Sequence, residues 1–287
     1  MQPACLPDPE IAARFDVLDA TLVERTGIAT LWKVRTHDHD AAALKIYHAS
    51  DMGNERPGFA VMSALPSAPL VQVYGTHPKA ALMEWLDGPS LGDMTRAGQD
   101  TVAALELVSV ANGLHARTKG LTSLDLPELE SWFTALFDLQ CASGLSDENR
   151  ANIANSQSLA RHLVGTQNDI RPLHGDLHHD NIKLGVRGFT AFDAKGVLGE
   201  RSFELANAFR NPKGAARTVR NPARLRHLAA LWSIQFGVAE HRLLQWAAVK
   251  CALSIAWRSG PVLAEDEELA LLEMFLAVAQ DLPHDSV

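Results

Sequence analysis

Two short stretches decide how this chain is interpreted. They read His-Gly-Asp-Leu-His-His-Asp-Asn at residues 174–181 and Phe-Asp-Ala-Lys-Gly-Val-Leu-Gly at residues 192–199. Asn181 follows Asp176 by five residues, and Asp193 comes twelve residues after Asn181. Phosphoryl transfer requires a group that orients the attacking hydroxyl, oxygen ligands for a magnesium ion and cations beside the phosphates. The spacing therefore predicts that Asp176 accepts the hydroxyl proton and that Asn181 and Asp193 hold Mg²⁺.

The same loop permits a second interpretation as the metal site of a hydrolase, because Asp176, His178, His179 and Asp180 all carry possible ligands. Side chains of consecutive residues in an extended loop point in different directions, which argues against one shared ion. The sequence also contains no His-Glu-x-x-His pattern. Phosphoryl transfer is the favoured interpretation, and His174 is expected to brace the loop rather than to react.

Outside this loop the chain divides into a strand-rich part and a helical part. The first part has runs of β-branched and aromatic residues at Thr21–Arg25, Ala29–Arg35, Ala41–Tyr47, Leu70–Tyr74 and Ala80–Trp85, with one helix predicted at Asn54–Leu65. Later, apolar residues recur at helical spacing in Thr101–His115, Leu126–Leu139, Asn149–Val164, Ala223–Phe236, Glu240–Arg258 and Glu265–Ala279. A short hairpin is predicted at Ile182–Phe192. Strands followed by helices indicate an α+β fold.

The two motifs, together with Phe203–Pro212, resemble those of the aminoglycoside phosphotransferases. Within that family they are most similar to the streptomycin 6-phosphotransferases and hydroxyurea antibiotic resistance kinases. The resemblance implies a protein-kinase-like, two-lobed fold. A small antiparallel β lobe at residues 1–86 would bind nucleotide, and a larger helical lobe at residues 87–287 would hold the catalytic loop and the substrate site. ATP and magnesium would bind between the lobes.

The resemblance also assigns cofactor-binding roles to residues of the first lobe. Lys45 would neutralise the α- and β-phosphates of ATP, and Glu55 would form an ion pair with it. The backbone of Glu84, Trp85 and Leu86 would contact the adenine edge. From the residues alone, Lys45 could instead point to solvent from a half-buried strand, and Glu55 could be an acidic residue at a helix start.

Some features of the protein-kinase pattern are missing. There is no Gly-x-Gly-x-x-Gly loop, and only Gly27 lies between the first two predicted strands. No long activation segment or Ala-Pro-Glu follows Asp193. A protein acceptor is therefore disfavoured, and the contacts of the γ-phosphate stay unassigned.

Charge narrows the class of partner. The chain of 287 residues carries 34 acidic and 26 basic residues, a formal net charge of −8. This balance argues against nucleic acid, which requires a basic face, and is compatible with a cationic acceptor. The run Glu265–Glu268 could hold a polyamine, but it is expected to be the acidic first turn of a solvated helix. Trp246 and Trp257 are expected to lie in the core.

Cysteine usage and hydropathy bear on the compartment. Cys5, Cys141 and Cys251 are far apart and form no Cys-x-x-Cys pair, which is typical of reduced thiols in the cytoplasm. The residues from Met1 to Glu10 lack the basic start and apolar run of a signal peptide. Lys250 and Arg258 interrupt the longest apolar helical pattern, so that no run reaches the length of a membrane span.

The sequence thus predicts an ATP- and magnesium-dependent phosphotransferase that acts on a hydroxyl of a small molecule. Streptomycin-like aminoglycosides are the first candidates for the acceptor. The alternatives are a kinase of a sugar or an amino alcohol, and a pseudokinase that binds nucleotide without turnover. The presence of Lys45, Asp176, Asn181 and Asp193 favours catalysis. The acceptor, the choice of ATP or GTP and the oligomeric state are left open.

Overall fold

A five-stranded antiparallel sheet makes up most of the first lobe. The computed structural model describes residues 6–119, 121 and 124–281, so Cys5 lies outside the described residues. The strands are β1 (Val17–Arg25), β2 (Ala29–Thr36), β3 (Ala42–Tyr47), β4 (Val73–His77) and β5 (Ala80–Glu84), in the order β1-β2-β3-β5-β4. Helix α1 (Pro9–Arg14) precedes the sheet, and α2 (Arg56–Ala64) follows a 3-10 turn at Gly53–Glu55.

The two faces of β3 meet different surroundings, which fixes the direction of Lys45. Ala42, Leu44 and Ile46 alternate onto the face that packs with Ile11 of α1. Ala43 and Tyr47 point the other way, into the core that continues into the helical lobe. Lys45 shares this second face, so it points toward the other lobe and not to open solvent.

The second lobe is mainly helical. Its helices are α3 (Leu91–Arg96), α4 (Asp100–Thr118), α5 (Leu129–Phe137), α6 (Asp147–Gly165), α7 (Ala216–Val219), α8 (Pro222–Phe236), α9 (Glu240–Ser259) and α10 (Leu269–Gln280). Helix α9 lies at its centre, and its residues from Leu243 to Ala256 are almost all buried. The predicted α+β, two-lobed, protein-kinase-like fold is confirmed. The lobe boundary at residue 86 stays a prediction.

Three short strand pairs join the helices of the second lobe. They are β6 (Gln140–Cys141) with β11 (Val262–Leu263), β7 (Ile170–Leu173) with β10 (Val197–Glu200), and β8 (Ile182–Gly185) with β9 (Gly188–Ala191). The predicted hairpin is present as β8 and β9, with Gly188 at φ +94° in its turn. The loop from His174 to Asn181 leads into this hairpin, and Asp193 follows it, so both ends carry predicted site residues.

The strand predicted at Leu70–Tyr74 is shifted in the structure. Strand β4 begins at Val73, whereas Leu70 and Val71 bridge to Ala191 at the end of β9. The segment therefore links the sheet to the hairpin before it enters the sheet. Among the described residues, no helix is both long and apolar enough to cross a membrane.

Candidate active site

The loop that carries Asp176 is held by a buried carboxylate. Glu204 accepts hydrogen bonds from the backbone N–H groups of His174 and Gly175, each at 3.0 Å, and from His115 Nε2 at 3.0 Å. Gly175 adopts φ +81°, a conformation that favours glycine. Burial alone would raise the pKa of Glu204, but the bond from His115 lowers it below its ordinary value. Glu204 therefore stays ionised and fixes the turn.

His174 braces the same loop, as expected. Its Nδ1 accepts the Asp176 N–H at 3.2 Å, and its Nε2 lies 3.0 Å from the carbonyl oxygen of Phe192. This pairing requires a neutral ring with the proton on Nε2. Burial lowers the pKa of His174, which favours the neutral form. The ring thereby connects the catalytic loop to the residue before Asp193.

Two amide groups orient the Asp176 carboxylate. Asn207 Nδ2 donates to Oδ1 at 2.7 Å, and Asn181 Nδ2 lies 3.4 Å from Oδ2 and 3.0 Å from the Asp176 carbonyl oxygen. His178 Nε2 lies 3.9 Å from Oδ2. Burial would raise the pKa of Asp176, but the charges of His178, Lys250 and Lys195 lower it. The carboxylate is therefore ionised at neutral pH and able to accept a proton.

Lys45 and Lys195 form a compact cluster of charges with Glu55 and Asp193. Lys45 Nζ lies 2.5 Å from Glu55 Oε2 and 2.9 Å from Asp193 Oδ1. Lys195 Nζ lies 2.7 Å from Glu55 Oε1 and 3.4 Å from Asp193 Oδ2. Each carboxylate thus faces both ammonium groups, and the cluster joins β3 and α2 of the first lobe to the segment after β9.

Asp193 has an unusual backbone and a low pKa. Its φ of +62° is rare for a residue other than glycine and is held here by ion pairs on both carboxylate oxygens. Burial would raise the pKa of Asp193, but Lys45 and Lys195 lower it to about 2. An anionic carboxylate of this kind suits a hard cation such as Mg²⁺.

The donor set fits magnesium bound together with phosphates. Magnesium sites in kinases use one or two protein oxygens plus substrate phosphates and water. Asp193 supplies a carboxylate, and Asn181 supplies an amide oxygen because its Nδ2 is used by Asp176. No group of three or more His, Cys, Asp or Glu residues suitable for a metal occurs within the described ranges. The arrangement therefore fits a magnesium ion that is bound partly by phosphate oxygens of the nucleotide, rather than a metal site made of protein ligands alone.

The alternative metal site of a hydrolase is not assembled. His179 is fully buried and His178 Nδ1 accepts the Asp180 N–H, while Asp180 pairs with Arg96 at 2.8 Å. Burial lowers the pKa of His179 to about 3. The side chains of the loop diverge, as the sequence argument expected.

A cavity of about 620 Å³ lies between the lobes. Its walls include all five residues predicted to bind the cofactor, namely Lys45, Glu55, Glu84, Trp85 and Leu86, and also Asp193. Gly27 and its neighbours in the β1–β2 turn form part of the wall. Arg187 Nη2 lies 2.5 Å from Glu84 Oε2. The backbone N–H of Glu84 donates to the Gln72 carbonyl oxygen. The predicted nucleotide residues therefore line one cleft.

A second cavity, of about 640 Å³, has Asp176 in its wall. His178, Asn207, Arg210, Lys250 and Trp257 line it together with Asp176. Trp257 is 47% exposed, so its predicted place in the core is wrong, whereas Trp246 is fully buried. An acceptor bound here would contact Asp176 directly.

The acidic run beside this cavity is also not what the sequence suggested. Helix α10 begins at Leu269, after the run. Asp266 pairs with Arg258 at 2.8 Å, and Glu268 pairs with Arg258 at 2.7 Å and Arg210 at 2.6 Å. Asp266 and Glu268 are thus already paired with arginines, and the run precedes the helix instead of forming its first turn.

Sequence reasoning missed three residues of the site. Glu204 and Asn207 lie in the matched segment Phe203–Pro212 but were given no role, because their contacts arise only when the chain folds back on the loop. Lys195 stands two residues after Asp193. A basic residue so close to a predicted metal ligand is a signal that the sequence offered.

Comparisons with known proteins identify relatives over most of the chain. The family model for aminoglycoside/hydroxyurea antibiotic resistance kinases matches residues 14–260. A streptomycin 3''-kinase from Klebsiella pneumoniae is 34% identical over 225 residues, which covers 76% of this chain and 80% of the relative.

Solved structures show the same fold at low identity. A mutant aminoglycoside phosphotransferase in complex with ADP and hygromycin B has a TM-score of 0.59 at 11% identity, covering 94% of this chain and 97% of its own. A choline kinase from Streptococcus pneumoniae has a TM-score of 0.61 at 11% identity, covering 94% and 95%. The fold is thus shared by proteins whose names give both sugar-based and amino-alcohol acceptors.

Proposed function

This chain belongs to the aminoglycoside/hydroxyurea antibiotic resistance kinase family, and from that premise we propose that it transfers the terminal phosphoryl group of ATP to a hydroxyl of an aminoglycoside-like molecule. The chain is a phosphotransferase with an alcohol group as acceptor. The observation that carries the finer proposal is that Asp176 lines one cavity while its neighbour in the same cluster of motifs, Asp193, lines the other. Asp193 shares the first cavity with the phosphate-binding candidates, and Asp176 faces the second, which is open to an acceptor.

The proposed reaction is a direct transfer. The acceptor hydroxyl donates a hydrogen bond to Asp176, and its oxygen forms the new bond to the γ-phosphorus. The bond from that phosphorus to the β-phosphate oxygen breaks, and ADP leaves with the electron pair. The hydroxyl proton passes to Asp176 and then to solvent. Asn207 keeps the carboxylate oriented through its 2.7 Å bond to Oδ1.

Charge on the phosphates is balanced by residues of the cleft. Lys45 and Lys195 bracket Asp193 and would face the nucleotide phosphates once ATP enters. Asn181 and Asp193 would hold magnesium, which when bound neutralises charge on the phosphate oxygens. Glu55 holds both lysines in place at 2.5 and 2.7 Å. A cytoplasmic location, where ATP is supplied, and a small-molecule partner rather than nucleic acid belong to the same proposal.

An acceptor screen tests this function. Purified protein is incubated with Mg-ATP and each of streptomycin, hygromycin B, choline and ethanolamine, and ADP formation and product mass are measured. We expect acceptor-dependent ADP formation and a product heavier by one phosphate. Phosphorus NMR then gives the hydroxyl that is modified. Absence of acceptor-dependent ADP with every compound, in protein that binds ATP, would favour the pseudokinase alternative.

A further inference from the structure

A lysine and two neighbours form a polar stripe on the central helix of the second lobe. Lys250, Ser254 and Trp257 are spaced by four and three residues along α9, so they lie on one face of the helix. All three line the cavity of about 640 Å³ that also contains Asp176. Arg258, one residue after Trp257, also lines this cavity, so the C-terminal half of α9 forms part of its wall.

The Lys250 ammonium has few partners for a buried cation. The residue is 3% exposed, and its Nζ donates one hydrogen bond, of 3.3 Å, to Ser254 Oγ. It also lies 4.7 Å from the centroid of the Trp257 ring. Among the described residues it forms no ion pair. An ammonium group has three donors, and burying it without a carboxylate is unfavourable.

Two arginines of the cavity, Arg210 and Arg258, differ from Lys250 because each has carboxylate partners. Arg210 is paired with Glu268, and Arg258 is paired with Asp266 and Glu268. Burial lowers the pKa of Lys250 to about 8, while the charge of Asp176 opposes that change. At neutral pH the Lys250 side chain is therefore still largely protonated, and its charge acts on the Asp176 carboxylate, which is proposed to receive the hydroxyl proton.

We propose that Lys250 binds the acceptor by donating to an oxygen on the carbon next to the reacting hydroxyl. This inference rests on the proposed function. The Asp176 carboxylate can accept a hydrogen bond and the Lys250 ammonium can donate one, so together they suit two neighbouring hydroxyl groups. One hydroxyl gives its proton to Asp176, and the oxygen of the next accepts a hydrogen bond from Lys250 Nζ. The acceptor class is thus a vicinal polyol such as a sugar or cyclitol.

The same charge disfavours amino alcohols. In choline or ethanolamine a positive nitrogen occupies the carbon next to the hydroxyl-bearing carbon. That nitrogen would meet the Lys250 ammonium, which is 3% exposed, and like charges repel more strongly where one of them is buried. A polyol that carries cationic groups farther from the reacting hydroxyl is not affected. Lys250 therefore acts as a residue that selects the acceptor.

The test uses Lys250→Met, which removes the charge but keeps the length of the side chain. Lys119→Met is the matched control, because Lys119 is an exposed lysine at the end of α4 that lines neither cavity. Three quantities are measured for each protein: the melting temperature, the KM for ATP, and kcat/KM for myo-inositol, streptomycin and ethanolamine.

We expect Lys250→Met to melt at the same or a higher temperature and to keep its KM for ATP. Its kcat/KM for the polyol that the wild type uses should fall by about 10- to 100-fold, as for a lost charge-assisted hydrogen bond, while ethanolamine improves or stays equal. Lys119→Met should change neither the polyol kinetics nor the ethanolamine kinetics. A lower melting temperature with unchanged polyol kinetics would overturn the proposal and indicate that Lys250 is structural. A wild type that prefers ethanolamine would also overturn the proposal.

Failure of the proposed function gives a different result. If the wild type turns over no acceptor, binding of myo-inositol and ethanolamine is measured by calorimetry. Polyol binding that is lost in Lys250→Met still supports the role of Lys250. Equal binding to both proteins, or no polyol binding at all, overturns it.

Discussion

Asp176 is the residue whose environment most constrains the chemistry. Its Oδ1 accepts from Asn207 and its Oδ2 faces Asn181, so both oxygens have neighbouring N–H donors. Burial would raise the pKa of Asp176, but the charges of His178, Lys250 and Lys195 lower it, so the carboxylate is ionised. An acceptor hydroxyl that approaches Oδ2 therefore meets a group oriented in advance.

Replacing Asp176 with asparagine should abolish turnover without unfolding the protein. The new amide would turn its oxygen toward the Asn207 donor, which leaves its NH₂ group facing the acceptor hydroxyl. A donor there cannot receive the proton, and a positioned base contributes about 10²- to 10⁴-fold in rate, so kcat should fall by that order. The KM for ATP should change little. Steady-state kinetics measure both, with exposed Asp138→Asn as control; wild-type kcat in Asp176→Asn would contradict the assignment.

Lys250 should give stability a pH dependence of definite sign. Its pKa is about 8 in the folded protein and 10.5 ordinarily. Below about pH 8 Lys250 is protonated in both the folded and the unfolded protein, and its buried charge destabilises the fold. Between about pH 8 and pH 10.5 only the unfolded protein keeps this proton, so the free energy of unfolding rises with pH. Relative to Lys250→Met, the wild type should gain about 2 kcal/mol between about pH 7 and pH 9.5.

Urea unfolding of both proteins at the two pH values measures this difference. Asp176, Arg210, Cys251 and Glu268 also act on the Lys250 ammonium, and all four remain in the variant. Burial raises the pKa of Cys251 to about 12, and this thiol contributes to both proteins alike. If the difference in unfolding free energy between wild type and variant is the same at both pH values, the lowered pKa of Lys250 is contradicted.

At the scale of elements, the backbone of α2 lies directly against the segment around Asp193, the proposed magnesium ligand. A Cβ on Gly58 would lie 1.7 Å from the Ala194 carbonyl oxygen, and a Cβ on Gly196 would lie 2.4 Å from the Pro57 carbonyl carbon. Gly196 also adopts φ +69°. This contact places Glu55, just before α2, beside Lys195 and Asp193.

Gly58→Ala should therefore separate these elements. We expect a loss of about 1–3 kcal/mol in unfolding free energy, as for other overpacked sites, and weaker stabilisation by Mg-ATP because Glu55 moves with α2. Gly165→Ala is the control, since its Cβ meets no atom within 4 Å at the end of α6. Urea unfolding with and without Mg-ATP measures both effects. Equal stability of the two variants would show that the backbone relaxes freely.

The sequence could predict elements whose pattern is local. Five of the predicted helices correspond to α4, α5, α6, α8 and α9, because each has a long apolar periodicity. Helix α3 and the pair β7–β10 were not predicted, since each is short and β7 pairs across more than twenty intervening residues. Helix α10 was predicted too early because the acidic run ahead of it is held by arginines from elsewhere in the fold.

The site was predictable for the same reason and to the same extent. The spacing of Asp176, Asn181 and Asp193 is local, and it predicts which loop carries the catalytic residues. The direction of Lys45 followed only from the resemblance, since alternation alone permits either face of β3. Glu204, Asn207 and Lys250 act through contacts with distant residues, and nothing in a local pattern indicates them.

At the scale of the molecule, the charge cluster joins the two lobes. Lys45 and Glu55 come from the first lobe, and Asp193 and Lys195 come from the second. Each of the four lysine–carboxylate ion pairs has an N–O distance of 3.4 Å or less. Arg187 of the β8–β9 turn adds an ion pair with Glu84 of β5. These contacts surround the interlobe cavity, so a nucleotide bound there would contact both lobes at once.

Mg-ATP should consequently stabilise the whole molecule. A ligand present at about one hundred times its dissociation constant adds about 2.7 kcal/mol, which corresponds to a rise of roughly 5–10 °C in melting temperature for a chain of this size. Lys45→Met should reduce that rise, because it removes a cation from the phosphates and leaves Glu55 and Asp193 with Lys195 alone between them. Lys79→Met is the control: Lys79 pairs with Asp8 outside the cavity, so it should respond to Mg-ATP as the wild type does. Melting curves with ATP, with magnesium and with both separate the contributions. A wild type that shows no magnesium-dependent rise, or a Lys45→Met protein that responds fully, would contradict the assignment of this cleft to the nucleotide.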